Sequence, residues 1–216
     1  MIPSGYYTNT KGVDPASVRV VQFGIPRSGS TFVWQCLCDL LPDGGVIKTH
    51  DWLDVDAPVV VTLRDFRDVI VSRWRLLGGD GVMTREEIYQ ECGLVRHPAW
   101  VLERYVSERQ SLRVVRYETD IAGDSPDKAA VVRECAALVG VPEWPWEKCD
   151  DIAAEHSIDR NRELSPRVGG YDSRTLLHFG HVHEGEVGGW KKFVRVENWQ
   201  LVNDLLGDLL EKWGYA

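Results

Sequence analysis

Residues 18–31 (VRVVQFGIPRSGST) constrain this chain more than any other stretch. An apolar run leads into a glycine-containing turn, and the turn leads into the start of an amphipathic segment. That is a strand, a loop and a helix, the construction of a phosphate-binding loop. Against the spacing G-x-x-x-x-G-K-[S/T], Gly24, Gly29 and Thr31 fit, but Ser30 stands at the lysine position. The loop's cation is Arg27 instead. Such a loop can grip an anion, yet it lacks the group that reaches a β/γ-phosphate. The mismatch points away from ATP and towards another phosphorylated donor.

Strand and helix signals alternate along the rest of the chain. Strands are expected at 18–23, 46–49, 58–63 and 112–117, the third an apolar run suited to burial on both faces. Helices are expected at 30–41, after Asp65, after the capping box Thr84–Glu87, over 98–108, from Ser125 with proline at its first position, and over 197–213. Alternation of this kind implies an α/β fold with a parallel sheet flanked by helices on both faces. The length of 216 residues suits a single domain. Residues 1–15 are expected to be a flexible N-terminus, and 160–189, polar and weakly periodic, a long functional loop.

Composition narrows the partners. The net charge of −8 argues against a nucleic-acid-binding surface. No apolar run approaches the ~20 residues of a membrane span. The five cysteines are odd in number and irregularly spaced, which argues against a disulfide framework and for a reducing, cytoplasmic setting. No metal site is expected. Trp34, Trp74, Trp199 and Trp213 sit at helical positions and read as packing residues. Trp52 either lines an acceptor pocket or packs, and Trp190 either braces the late loop or packs in the core or an interface.

Two further segments carry chemistry. Lys48 and His50 flank Thr49 at a strand end, where ligands of open parallel sheets bind, and they point to one side. Arg64 leaves the next strand, and Ser72 lies two turns along the following helix, so both could reach one phosphate. By themselves Lys48 and His50 are more often exposed surface residues, and Arg64, Asp65, Arg67 and Asp68 could equally form solvated ion pairs; their value comes from standing beside the loop.

Together these segments resemble the sulfotransferases that use 3′-phosphoadenosine 5′-phosphosulfate (PAPS). Residues 26–32 (PRSGSTF) resemble that family's 5′-phosphosulfate loop, and 64–72 (RDFRDVIVS) its 3′-phosphate motif. Residues 48–50 (KTH) resemble the same triplet of its cytosolic branch, 115–118 (VRYE) its R-Y-E-D strand end, and 188–191 (GGWK) its late G-D-W-K segment. The resemblance implies the P-loop sulfotransferase fold and sulfuryl transfer to a hydroxyl or amine, with 3′-phosphoadenosine 5′-phosphate (PAP) as product.

It also implies roles. Arg27, Ser28, Gly29, Ser30 and Thr31 would cradle the 5′-phosphosulfate, and Phe32 would stack on adenine. Arg64 and Ser72 would hold the 3′-phosphate, Tyr117 would contact the nucleoside, and Gly185 would keep the glycine of the family's R-K-G triplet. His50 would be the general base and Lys48 would steady the bridging oxygen. The chain departs from the family at His183 and Glu184, where the family has an arginine and a lysine. His181, His183 or Arg174 are the candidate substitutes. The short link from Asp51 to Ala57 implies an acceptor site remade from other segments, for a small-molecule or carbohydrate acceptor. A small-molecule kinase and a non-catalytic nucleotide-binding relative are the alternatives.

Overall fold

The structure, a computed structural model, describes residues 14–122, 127–141, 145–167, 172, 175–177 and 185–216. Residues 1–13, including most of the expected flexible N-terminus, lie outside them, as do Arg174, His181, His183 and Glu184.

Four strands form one parallel sheet: β1 (Val20–Gly24), β2 (Val46–Thr49), β3 (Val59–Leu63) and β4 (Leu112–Arg116), in the order β2-β1-β3-β4. Val21 pairs with Ile47 on one side and Val59 on the other, and Val59 pairs in turn with Leu112. The chain leaves β1 towards β2 in one direction and later leaves β3 towards β4 in the other. The carboxyl ends of β1 and β3 therefore flank the point where connections diverge, the usual ligand crevice of an open α/β sheet. The loop of residues 25–29 and Arg64 both emerge there.

Seven α-helices surround the sheet among the described residues: α1 (Ser30–Leu40), α2 (Phe66–Leu76), α3 (Arg85–Glu108), α4 (Lys128–Leu138), α5 (Trp146–Glu155), α6 (Ile158–Leu164) and α7 (Trp199–Trp213). Alternate strand residues face opposite layers. Val21, Phe23, Val59, Val61 and Leu63 pack under α2, α3 and α7, whereas Val20, Val60 and Val115 pack under α1, α4 and α5. Burial on both faces is what the unbroken apolar strands predict.

Local chemistry sets most helix starts. Asp65 caps α2 by accepting from Arg67 N, and Thr84 with Glu87 forms the expected capping box of α3. Such caps contribute ~1 kcal/mol each.

Three expectations change. The helix expected over 98–108 is the second half of α3, which runs through Pro98. An internal proline costs ~3 kcal/mol, but Ile88, Cys92, Val95, Ala99, Leu102 and Tyr105 bury a stripe that spans it. The helix expected from Ser125 is capped by Asp127, with residues 123–126 outside the described ones. The stretch expected as loop from 160 contains most of α6, because Ser157 caps that helix through Arg160 N and Asn161 is buried against Gln35 of α1.

Candidate active site

The loop after β1 is shaped for close approach of an anion. Arg27 sits at φ 71 and Gly29 at φ 84, so two left-handed residues turn the chain sharply before α1. For Arg27 that conformation costs on the order of 1–3 kcal/mol, the kind of strain stored at ligand sites. Gly29 is required: a Cβ there would lie 2.8 Å from Ile121 Cδ1 and 2.9 Å from Tyr117 Cδ2. Gly29 caps α1 without a side-chain bond, leaving the positive end of the helix turned to the crevice.

The remaining groups converge on that loop. The Arg27 side chain donates from Nε to Ser72 Oγ of α2 at 3.0 Å. Arg64, at the end of β3, donates to the Arg27 carbonyl at 3.3 Å and to the Glu186 carbonyl at 2.8 Å. Its guanidinium lies 4.2 Å from the centre of the Tyr117 ring. The Tyr117 hydroxyl donates to the Gly185 carbonyl at 2.7 Å. Gly185 has φ 68, and a Cβ there would lie 2.7 Å from that hydroxyl. Lys48 Nζ donates to Thr31 Oγ1 at 3.1 Å, which ties the end of β2 to the start of α1.

His50 is held through Nδ1, 2.5 Å from the Gly24 carbonyl oxygen. A carbonyl can only accept, so Nδ1 carries the proton, and in the neutral ring Nε2 carries the basic lone pair.

Electrostatics favours an anion. Burial, and then Arg27, lower Lys48 from its ordinary value to about 7. Burial, and then Lys48, lower His50 to about 4. Burial, and then Arg64, lower Arg27 to about 10. Burial is the largest cause in each case, and a neighbouring cation adds to it, so positive charge is crowded at this loop, which favours an anionic ligand. Asp68, 3.8 Å from Arg64, offers limited compensation. Its two oxygens also accept from the Gly188 and Trp190 amides at 2.8 and 2.9 Å. Arg64 Nε is buried with no hydrogen-bond partner among the described residues. An orphaned guanidinium donor beside a turned loop fits an anionic group.

Two of the expected contact residues face inward. The Ser28 hydroxyl lies 2.6 Å from the Ile25 carbonyl and 2.7 Å from Thr62 Oγ1, and Ser28 is wholly buried. Its side chain pins the loop to β3. Phe32 is also buried, packed in the core layer of α1 and α4. Ser30 and Thr31 are buried at the start of α1, Thr31 with its hydroxyl on Lys48.

The tryptophans divide clearly. Trp52 packs: its ring lies 3.9 Å from the Arg104 guanidinium, 4.7 Å from that of Arg109 and 4.6 Å from the Tyr105 ring centre. Trp190 is buried in the core layer of α2, α3 and α7 and lies T-shaped against Trp199.

Sequence reasoning gave no role to Glu118 or Asp68. Glu118 accepts from the Asp65 amide and from the Tyr215 hydroxyl, both at 2.8 Å, so it fixes the start of α2 where Arg64 emerges. Both acids stand inside the quoted segments, so their position was visible while their bonding was not. Among the described residues no group of three His, Cys, Asp or Glu side chains could hold a metal. No helix among them is long and apolar enough to cross a membrane.

No protein-family model matches the chain, and no curated protein matches it. Solved structures do. Retinol dehydratase in complex with androsterone and inactive cofactor PAP superposes with a TM-score of 0.69 at 13% identity, covering 92% of this chain and 82% of that one. Retinol dehydratase with retinol and PAP gives 0.65 at 12%, covering 89% and 81%. Mouse sulfotransferase SULT7A1 complexed with PAP gives 0.69 at 11%, covering 91% and 85%. The chain therefore has the fold of these PAP-complexed proteins along most of its length.

Proposed function

We propose that this chain, built on the sulfotransferase fold, transfers a sulfuryl group from PAPS to a hydroxyl or amine of a small acceptor. PAPS supplies the activated sulfuryl group, whose bond to the bridging phosphate oxygen breaks as a bond to the acceptor oxygen or nitrogen forms. The observation that carries the reading is the convergence of Arg27, Lys48, His50 and Arg64 on one turned loop, on a fold whose solved examples hold PAP.

Each residue has a task that its position permits. The loop backbone at Gly29, Ser30 and Thr31, with the end of α1, holds the 5′-phosphosulfate. Arg64 and Ser72 hold the 3′-phosphate, and Tyr117 orients the nucleoside from its place between Arg64 and Gly185. His50 accepts the acceptor's proton at Nε2. Lys48 and Arg27 meet the negative charge that grows on the bridging oxygen, a stabilisation that a dry site strengthens. Burial keeps His50 neutral at pH 7, and the polyanionic donor raises its basicity on arrival, since it offsets the field of Lys48.

Retinol and androsterone in the retinol dehydratase structures favour a small hydroxylated acceptor over a carbohydrate. The test is transfer of radiolabelled sulfur from PAPS to a panel of small alcohols and phenols that includes these two. A labelled sulfate ester, lost by about 10²–10⁴ in rate in His50→Ala, supports the reading. Normal turnover in that variant removes His50 as base. Binding of ATP with Mg²⁺ but not of PAP replaces the reading with a kinase.

A further inference from the structure

We propose that Tyr105 and Arg109, one turn apart at the end of α3, are positioning residues for His50. Neither belongs to the segments that resemble the sulfotransferases, and neither touches the loop after β1. They act on the chain that follows His50.

The segment Asp51–Ala57 contains no regular helix or strand, so its backbone needs partners from elsewhere. Tyr105 of α3 and Arg109, the cap residue just after it, supply them. The Tyr105 hydroxyl accepts from the Leu53 amide at 2.8 Å and donates to the Asp51 carbonyl at 3.2 Å. Arg109 donates to the Leu53 and Val55 carbonyls at 2.8 and 2.7 Å. The Trp52 ring lies against the Arg104 and Arg109 guanidinium groups and the Tyr105 ring. Asp51, Trp52, Leu53 and Val55 of the connecting chain are thereby fastened to the end of α3.

The fastening reaches His50 through Asp51. The Asp51 carbonyl also accepts from the Thr49 hydroxyl at 3.1 Å, while the Asp51 amide donates to that hydroxyl at 2.9 Å. Thr49 and Asp51 bracket His50, so the turn that carries the imidazole is closed on itself and tied to Tyr105. Tyr105 is wholly buried, with its ring 5.0 Å from that of Phe23 in β1. The anchor is thus part of the core. Burial pushes its phenol up to about 12, so the hydroxyl keeps its proton, and hence its bond to Asp51, throughout the working range. Among the described residues, the charged and titratable groups at this turn and the link after it include Lys48, Asp51, Asp54, Arg104, Arg109 and, beyond Asp51, His97 of α3, with Nε2 3.1 Å from Oδ1.

This inference rests on His50 being the base, but its test reads the imidazole directly and needs no acceptor. Nitrogen NMR of the full chain follows the His50 ring in wild type, Tyr105→Phe and Arg109→Gln, with PAP affinity measured alongside. Wild type should show the Nδ1–H tautomer and a titration midpoint near 4. In Tyr105→Phe the bond to Gly24 should loosen, the tautomers should mix, and the midpoint should fall, because that bond favours the charged ring, with PAP affinity within about twofold. Arg109→Gln should shift it in the same direction by less, and it keeps the proposal testable if Tyr105→Phe does not fold. An unchanged His50 tautomer and midpoint in a folded variant with a lowered Tm would make the α3 contacts structural only and overturn the proposal. Loss of PAP binding in wild type would instead overturn the sulfuryl-transfer reading.

Discussion

Arg27 of the loop after β1 and Ser72 of α2 are joined by a hydrogen bond of 3.0 Å from Nε to Oγ. The two groups assigned to opposite ends of the donor are therefore in direct contact, and the loop and α2 form one surface. Ser72→Ala removes that link and a proposed 3′-phosphate donor together. A hydrogen bond to a charged group contributes ~1.5–3 kcal/mol, so PAP affinity should fall by about tenfold or more. Calorimetric titration with PAP checks this, and wild-type affinity in the variant would exclude Ser72 from the site.

Gly29→Ala should be costly for a steric reason. Its φ of 84 disfavours a side chain, and the new Cβ would meet Ile121 and Tyr117 below 3.0 Å. The expected loss is on the order of 1–3 kcal/mol of stability, with weaker PAP binding because Tyr117 must move. Thermal melts with and without PAP measure both effects.

Lys48 gives the site a pH signature. Its ordinary value of 10.5 falls to about 7 in the ligand-free protein. Above pH 7 the free protein has lost a proton that a bound polyanion would retain. PAP binding should therefore take up a proton, and affinity should fall as pH rises from 7 towards 9. Binding measured in buffers of different ionisation enthalpy detects the uptake, and Lys48→Met should abolish it. The sign for stability is opposite: over that window the unfolded chain holds the proton better, so Lys48 makes the ligand-free fold more stable as pH rises.

Asp68→Asn probes the late segment. The carboxylate accepts from two amides, Gly188 and Trp190, and faces Arg64. An amide side chain has one oxygen, so one of those bonds is lost. Hydrogen exchange at residues 185–192 should accelerate by about tenfold, while the α3 core exchanges as before.

The strands and the loop after β1 were legible in the sequence because their signals are local: apolar runs, glycines and caps. The convergence of Arg27, Lys48, His50 and Arg64 was legible only because the parallel-sheet pattern places strand ends together. Three features were not. The continuity of α3 through Pro98 depends on burial against α2 and α7, which propensity does not report. The inward turn of Ser28 depends on Thr62, distant in sequence. The role of Trp52 depends on Arg104 and Arg109, whose spacing looks like an ordinary solvated helix end until the link after His50 is seen to lie on it.

The central claim is that the crevice binds the donor's nucleotide without a metal. Titration calorimetry with PAP in the presence of a chelator, on wild type and Arg64→Ala, tests it most directly. One PAP should bind per wild-type chain, and Arg64→Ala should weaken binding by about tenfold or more, since charge-assisted bonds are worth ~1.5–3 kcal/mol. No binding of PAP to the wild-type chain, with binding of ATP in the presence of Mg²⁺, would contradict the account.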